Sequence, residues 1–221
     1  MVSDELCSLG VFDLAGSYRR GEVSPVEVVQ AHLDRCERLN PVLNAYLVLM
    51  RDSAMEAARA AAALFRAGID LGLLQGVPIS VKDLIRVQGT RTTAGSRVLL
   101  EAPVDQSDAW VVRRLRAAGS IIMGKTNLHE FAIGNPDPLG PFGLVQNPRR
   151  IGWHPGSSSS GAGAAVAAGL GVVGIGTDTG GSVRIPASLC GVVGLKPTNG
   201  SISLEGIIPL SWTLDSVGPL A

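Results

Sequence analysis

Neither sign of charge is in excess: 19 Lys and Arg stand against 19 Asp and Glu over 221 residues. That balance removes the basic footprint needed to bind nucleic acid directly or to adhere to an anionic membrane. Aromatic residues are scarce, nine in all, too few to suggest a base-stacking surface. Cysteine is scarcer still. Cys7, Cys36 and Cys190 form an odd set without C-x-x-C spacing, which argues against a disulfide framework or a zinc site and suits a reducing cytosol. The first five residues, Met1 to Glu5, carry acid where a secretory leader carries base, so export is not expected. Long apolar runs are also missing. Residues 161–176 hold 16 uncharged residues, six of them Gly, short of the roughly 18 that a span needs. They read as tightly packed interior. No metal and no cofactor are expected from these patterns.

Glycine is plentiful: 28 residues, 13 of them between Gly152 and Gly200, where something requires bare backbone. Ser24-Pro25-Val26-Glu27 has the form of a capping box with Pro at the first helical position, and Val29, Leu33, Cys36 and Leu39 follow at helical spacing. A helix to about Leu39 is predicted, then a second from about Asp52 to Ala67 that Gly68 ends. Gly76 to Val81 is a short β-prone run that delivers Lys82-Asp83 at its end. Asp108 is placed to cap a helix that Gly119 closes before a strand, Ser120 to Met123. A helix over 161–169, a buried strand over Val172 to Ile175, a short helix over Ile185 to Leu189 and another strand over Val192 to Leu195 complete the pattern. The alternation predicts an α/β sheet covered by helices.

Three segments invite a chemical reading. Gly119 to Thr126 satisfies G-x-x-x-x-G-K-[ST], yet a helix precedes it and Ile121-Ile122-Met123 looks like the strand itself, so the loop of inward N–H groups that grips phosphate is missing. Thr177-Asp178-Thr179-Gly180-Gly181-Ser182-Val183-Arg184 lies between a strand and a short helix. Two glycines before a serine let successive N–H groups converge beside a hydroxyl, an oxyanion hole with its nucleophile; the bland reading is a Gly-rich turn with a capping Ser. Gly156 to Gly161 brackets four serines before an Ala-rich helix, which by default is a cap and a polar loop. Lys82 tips the balance. At the end of an apolar strand, desolvation lowers its pKa and allows a neutral amine to act as base. His32 on a helix, His129 in a helical stretch and His154 in a Pro/Gly loop offer no comparable base.

Taken together, these segments resemble the amidase signature family. The resemblance is carried by Gly76 to Asp83, Gly124 to Ala132, Gly156 to Gly169, Thr177 to Ser188, Gly194 to Thr198 and Leu214 to Pro219, in family order and covering the chain from about Ser24. It implies a mixed β-sheet core covered by helices, with an N-terminal helical segment over 1–70 and the first part of the catalytic domain over 71–221. It also implies a Ser-Ser-Lys triad: Ser182 as nucleophile, Ser158 as bridge and Lys82 as base. The N–H groups of Thr179, Gly180, Gly181 and Ser182 would hold the oxyanion, with Asp178 and Arg184 supporting the loop.

The family places Gly and a cis peptide before the bridging serine, whereas Ser157 stands here, so Ser157 and Ser159 are alternative bridges. Family members run to roughly twice this length; the chain is therefore expected to be the N-terminal half of a longer product or a natural short form. The implied activity is hydrolysis of a small-molecule amide, by a protein that could form a homodimer. A second reading is the A subunit of the aspartyl/glutamyl-tRNA amidotransferase, supplying ammonia from glutamine with partner subunits. A third is a silent folding or interaction unit.

Overall fold

In the computed structural model, which describes residues 3–134 and 137–221, the Ser24 capping box forms: its hydroxyl accepts the Glu27 N–H, and the Glu27 carboxylate accepts the Ser24 N–H. Two shorter helices, α1 (Ser3–Leu6) and α2 (Val11–Arg20), precede α3 (Pro25–Leu43). The latter runs past the expected end at Leu39 despite Pro41 in its last turn, and Asn44, at φ 52° in the left-handed region, closes it with its N–H on the Asn40 carbonyl. Next come β1 (Tyr46–Leu49), α4 (Arg51–Arg66), β2 (Pro78–Lys82), α5 (Trp110–Ala117), β3 (Ile121–Thr126), α6 (Ser160–Ala167), β4 (Val173–Asp178), α7 (Arg184–Cys190) and β5 (Ser216–Leu220). Residues 1–70 are thus helical over most of their described length, but they also contribute a strand to the sheet.

The five strands form one mixed sheet in the order β1-β3-β2-β4-β5. Its centre, β3-β2-β4, is parallel, and the antiparallel β1 and β5 flank it. Alternation along β3 shows how both faces are filled: Ile121 and Met123 join the cluster under α3, α4 and α6, while Ile122 joins Ile79, Val81, Val111 and Val112 under α5. Burial on both sides explains why β2, β3 and β4 are buried at every position.

Several expectations are corrected. The strand expected to end at Met123 continues through Gly124, Lys125 and Thr126, and the P-loop pattern, as expected, has no loop in it. Asp108 does not cap α5: its carboxylate accepts the Gln88 N–H at 2.8 Å and pairs with Arg116 at 2.9 Å, and the helix starts after Ala109 without a side-chain cap. Residues Val192 to Leu195 do not form the expected strand. They form a single bridge from Gly194 to Leu220, with Val193 and Leu195 73% and 58% exposed, because apolar content marks this run without specifying a ladder. His129 precedes only a short 3-10 turn, Glu130–Ala132.

Candidate active site

Strand order fixes where a site can form. From β2 the chain places β3 on one side and β4 on the other, so the carboxyl ends of β2 and β4 lie where the winding reverses, the place at which sites form in such sheets. Lys82 is the last residue of β2, and Thr177 and Asp178 are the last two of β4. The N-terminus of α6 supplies the serines. Its close approach depends on Gly161, where a Cβ would lie 2.3 Å from the Ala45 carbonyl oxygen and 2.6 Å from the Asn127 nitrogen.

Lys82 is completely buried, and its Nζ lies 2.8 Å from Ser158 Oγ and 2.8 Å from Thr177 Oγ1. No carboxylate pairs with it among the described residues. Burial lowers its pKa to about 7, against the opposing pull of the Asp178 and Asp215 charges. Lys125 provides the contrast within one fold: it is equally buried, but its Nζ meets Asp83 Oδ1 at 2.6 Å. The first is a buried amine among alcohols, the second half of an ion pair.

Of the four serines, Ser158 contacts Lys82, and the Ser157-Ser158 peptide is cis. Ser159 turns away, its hydroxyl donating to the Thr177 carbonyl at 3.2 Å. Ser182 is half-buried, and its carbonyl accepts the Ser159 N–H at 3.1 Å, which sets the two loops side by side. Between β4 and α7, Asp178 organises the turn. Its carboxylate accepts the N–H groups of Gly181, Val183 and Arg184 and the guanidinium of Arg184. Burial acts to raise its pKa, but these donors, Arg184 foremost, outweigh it and hold the group at about 2. Gly181 sits at φ 123°, and a Cβ there would lie 2.8 Å from the Ile185 side chain.

One expected donor is committed elsewhere. The Gly181 N–H points to Asp178 Oδ1 at 2.8 Å, whereas those of Gly180 and Ser182 have no acceptor among the described residues. Thr179 donates its hydroxyl to Asp215 at 2.6 Å, joining the turn to the segment before β5. Nothing in the sequence gives Thr177 or Asp215 a role, since a threonine inside a strand and an aspartate beyond the serines carry no pattern of their own.

Comparison with known proteins gives this geometry a context. A family model described as Amidase matches residues 27–221. The A subunit of the glutamyl-tRNA(Gln) amidotransferase from Salinispora arenicola is 45% identical over 219 residues, covering 98% of this chain and 44% of the relative. The peptide amidase of Stenotrophomonas maltophilia superposes with a TM-score of 0.91 at 40% identity, covering 97% of this chain and 45% of that one. A fatty acid amide hydrolase superposes at 0.92 with 28% identity, covering 99% and 39%. The chain therefore spans somewhat under half the length of these proteins. Its sequence match and its fold agree, and the chain belongs to the amidase signature family.

Proposed function

We propose that this chain carries the acyl-transfer machinery of a carboxamide hydrolase, with Ser182 as nucleophile, Ser158 as proton bridge and Lys82 as base. The observation that carries the reading is the buried Lys82 amine 2.8 Å from Ser158 Oγ with no carboxylate partner among the described residues. As a neutral amine, Lys82 accepts the Ser158 proton while one of its own N–H groups donates to Thr177.

The steps then balance. Ser182 Oγ bonds to the substrate carbonyl carbon as its proton passes to Ser158 Oγ and the Ser158 proton passes to Lys82 Nζ. The carbonyl oxygen becomes an oxyanion, held by the N–H groups of Gly180 and Ser182 with Thr179 beside them; Gly181, expected as a fourth donor, instead holds Asp178. As the oxyanion collapses, the C–N bond breaks and the proton returns along the same path to the departing amine. Water repeats the sequence on the acyl-enzyme, releasing the carboxylate and restoring Ser182. Asp178 and Arg184 keep the Gly-Gly-Ser turn in shape without touching substrate.

A fluorophosphonate probe tests this directly. It labels Ser182 in the wild-type protein, and Ser182→Ala abolishes the label; labelling that survives Ser182→Ala and disappears in Ser158→Ala overturns the assignment. The amidotransferase names among the relatives favour a second reading, in which the same chemistry releases ammonia from glutamine. Glutaminase activity that rises when a partner subunit is added selects that reading, and hydrolysis of simple amides without a partner selects the first.

A further inference from the structure

Two histidines outside this chemistry hold the loop that carries Ser158. His154 Nδ1 accepts the Gly156 N–H at 3.0 Å, two residues before Ser158. A ring nitrogen that accepts carries no proton, so the proton of neutral His154 sits on Nε2. That atom lies 3.0 Å from His129 Nε2, which must then be the acceptor. The His129 proton is left on Nδ1, facing the Gly134 carbonyl at 3.3 Å. These hydrogen-bond partners assign one direction to the whole chain, Gly156 to His154 to His129 to Gly134. The His129 main-chain N–H donates to the Ser158 carbonyl at 3.2 Å. The loop of Ser158 is thus tied at two points, by the His154 ring at Gly156 and by the His129 main chain at the Ser158 carbonyl.

Resting on the amide-hydrolysis reading above, we infer that His129 and His154 are positioning residues for Ser158: as a neutral pair their rings hold Gly156, two residues before it, and they release Gly156 when either ring takes up a proton. The relay has no room for another proton. A protonated His129 turns an N–H toward the His154 Nε2–H. Either His154 moves its proton to Nδ1 and opposes the Gly156 N–H, or the rings part and His154 loses the partner that orients it; the Gly156 contact is lost in the first case and loosened in the second. Protons can reach the pair through a cavity of about 340 Å³ that both rings line. Lys82 on β2 is the cation whose field acts on His129, and Glu130 and Asp137 line the same cavity. Burial foremost keeps both rings below the usual histidine range and so neutral near pH 7, against the pull of the Gly134 carbonyl on His129; the Lys82 charge at His129 and the His129 charge at His154 push the same way once those groups are protonated.

Two measurements test this, one of them independent of catalysis. By nitrogen-15 NMR, His154 carries its proton on Nε2 and His129 on Nδ1, and the Gly156 amide resonance moves with their titration below about pH 6.5. The rate of fluorophosphonate labelling falls about 10- to 100-fold in His154→Phe. His154→Asn, whose side-chain oxygen can accept the Gly156 N–H, recovers most of that loss. Between pH 7 and the titration of the pair, the wild-type rate falls with the first power of proton concentration, and below it with the second; His154→Asn keeps the first power throughout. Rings that titrate independently without moving Gly156 overturn the inference, as does equal labelling in His154→Phe. A Ser182 that never labels overturns the hydrolase reading and the catalytic role with it, and the NMR result tells that failure apart from a failure of the relay.

Discussion

Lys82 and Lys125 show how one partner decides the state of a buried amine. Burial pushes both amines down, but at Lys125 the Asp83 carboxylate 2.6 Å away opposes it; Lys82, among alcohols, gives its proton up near neutral pH. Labelling and any hydrolysis therefore rise through pH 7 toward alkaline pH. Lys82→Ala and Lys82→Arg each lower kcat/KM about 10²- to 10⁴-fold, the range of general-base catalysis, since Arg retains its proton. A vigorous Lys82→Arg protein rules out base catalysis by this residue. The same shift bears on stability. Between about 7 and the ordinary value of 10.5 the unfolded chain binds a proton at Lys82 that the folded chain does not, so this residue makes stability rise with pH across that window. Lys82→Met is accordingly expected to raise Tm near pH 7 while abolishing labelling, a trade between stability and activity that differential scanning calorimetry reads.

Asp178 has the opposite sign. Its depressed pKa stabilises the fold above the ordinary carboxylate range, and this is lost as pH falls toward 2. In Asp178→Asn an amide NH₂ replaces one of the oxygens facing the Gly181, Val183 and Arg184 donors, costing about 1–3 kcal/mol. Urea unfolding at pH 7 measures that loss, and an unchanged midpoint would show that the turn holds without the carboxylate.

Among the elements, those with local signals were legible. The capping box, the helix over 51–66 and the strand ending at Lys82 follow from caps, periodicity and β-branched residues within a few positions. Edge strands were not. Tyr46–Leu49 is too short to show a period, and Ser216–Leu220 contains Gly218 and Pro219, which argue against a strand until pairing with β4 is seen. Of the site, the strand-end lysine and the Gly-Gly-Ser turn were legible because unusual residue types stand in a recognisable local context. The commitment of the Gly181 N–H to Asp178, the Thr177 contact and the imidazole relay depend on distances across the fold. The glycine-rich stretch had a reason the sequence could only hint at, and Gly161 tests it. In Gly161→Ala the new methyl meets backbone on β1's approach and beyond β3, neither of which can swing aside, so a loss of about 1–3 kcal/mol is expected. Gly180→Ala, where a Cβ has open space, is the matched control and costs far less. Equal unfolding midpoints for the two variants would show that α6 does not need to sit this close.

For the whole molecule, four of the exposed large apolar side chains lie in the chain around β5. Val193 and Leu195 run beside it, and Trp212 and Leu214 lead into it, at 73%, 58%, 84% and 53% exposure. A water-facing surface tolerates single apolar residues, but several large ones on segments flanking one edge strand favour association. The relatives that cover this chain almost completely are each more than twice as long as the matched portion, and the proposed triad requires its groups to be held within about 0.5 Å of working positions. A polypeptide of these 221 residues is therefore expected to self-associate on gel filtration and to label slowly at Ser182. Joining it to the C-terminal part of the peptide amidase relative should shift it to a monodisperse species and raise the labelling rate at least tenfold. Substituting Trp212→Ser and Val193→Thr in the 221-residue polypeptide should reduce association without raising that rate, because it removes the sticky surface but adds no support to the site. A monomer of 221 residues that labels as fast as the joined protein would show that the five-stranded sheet and its helices hold the three groups unaided.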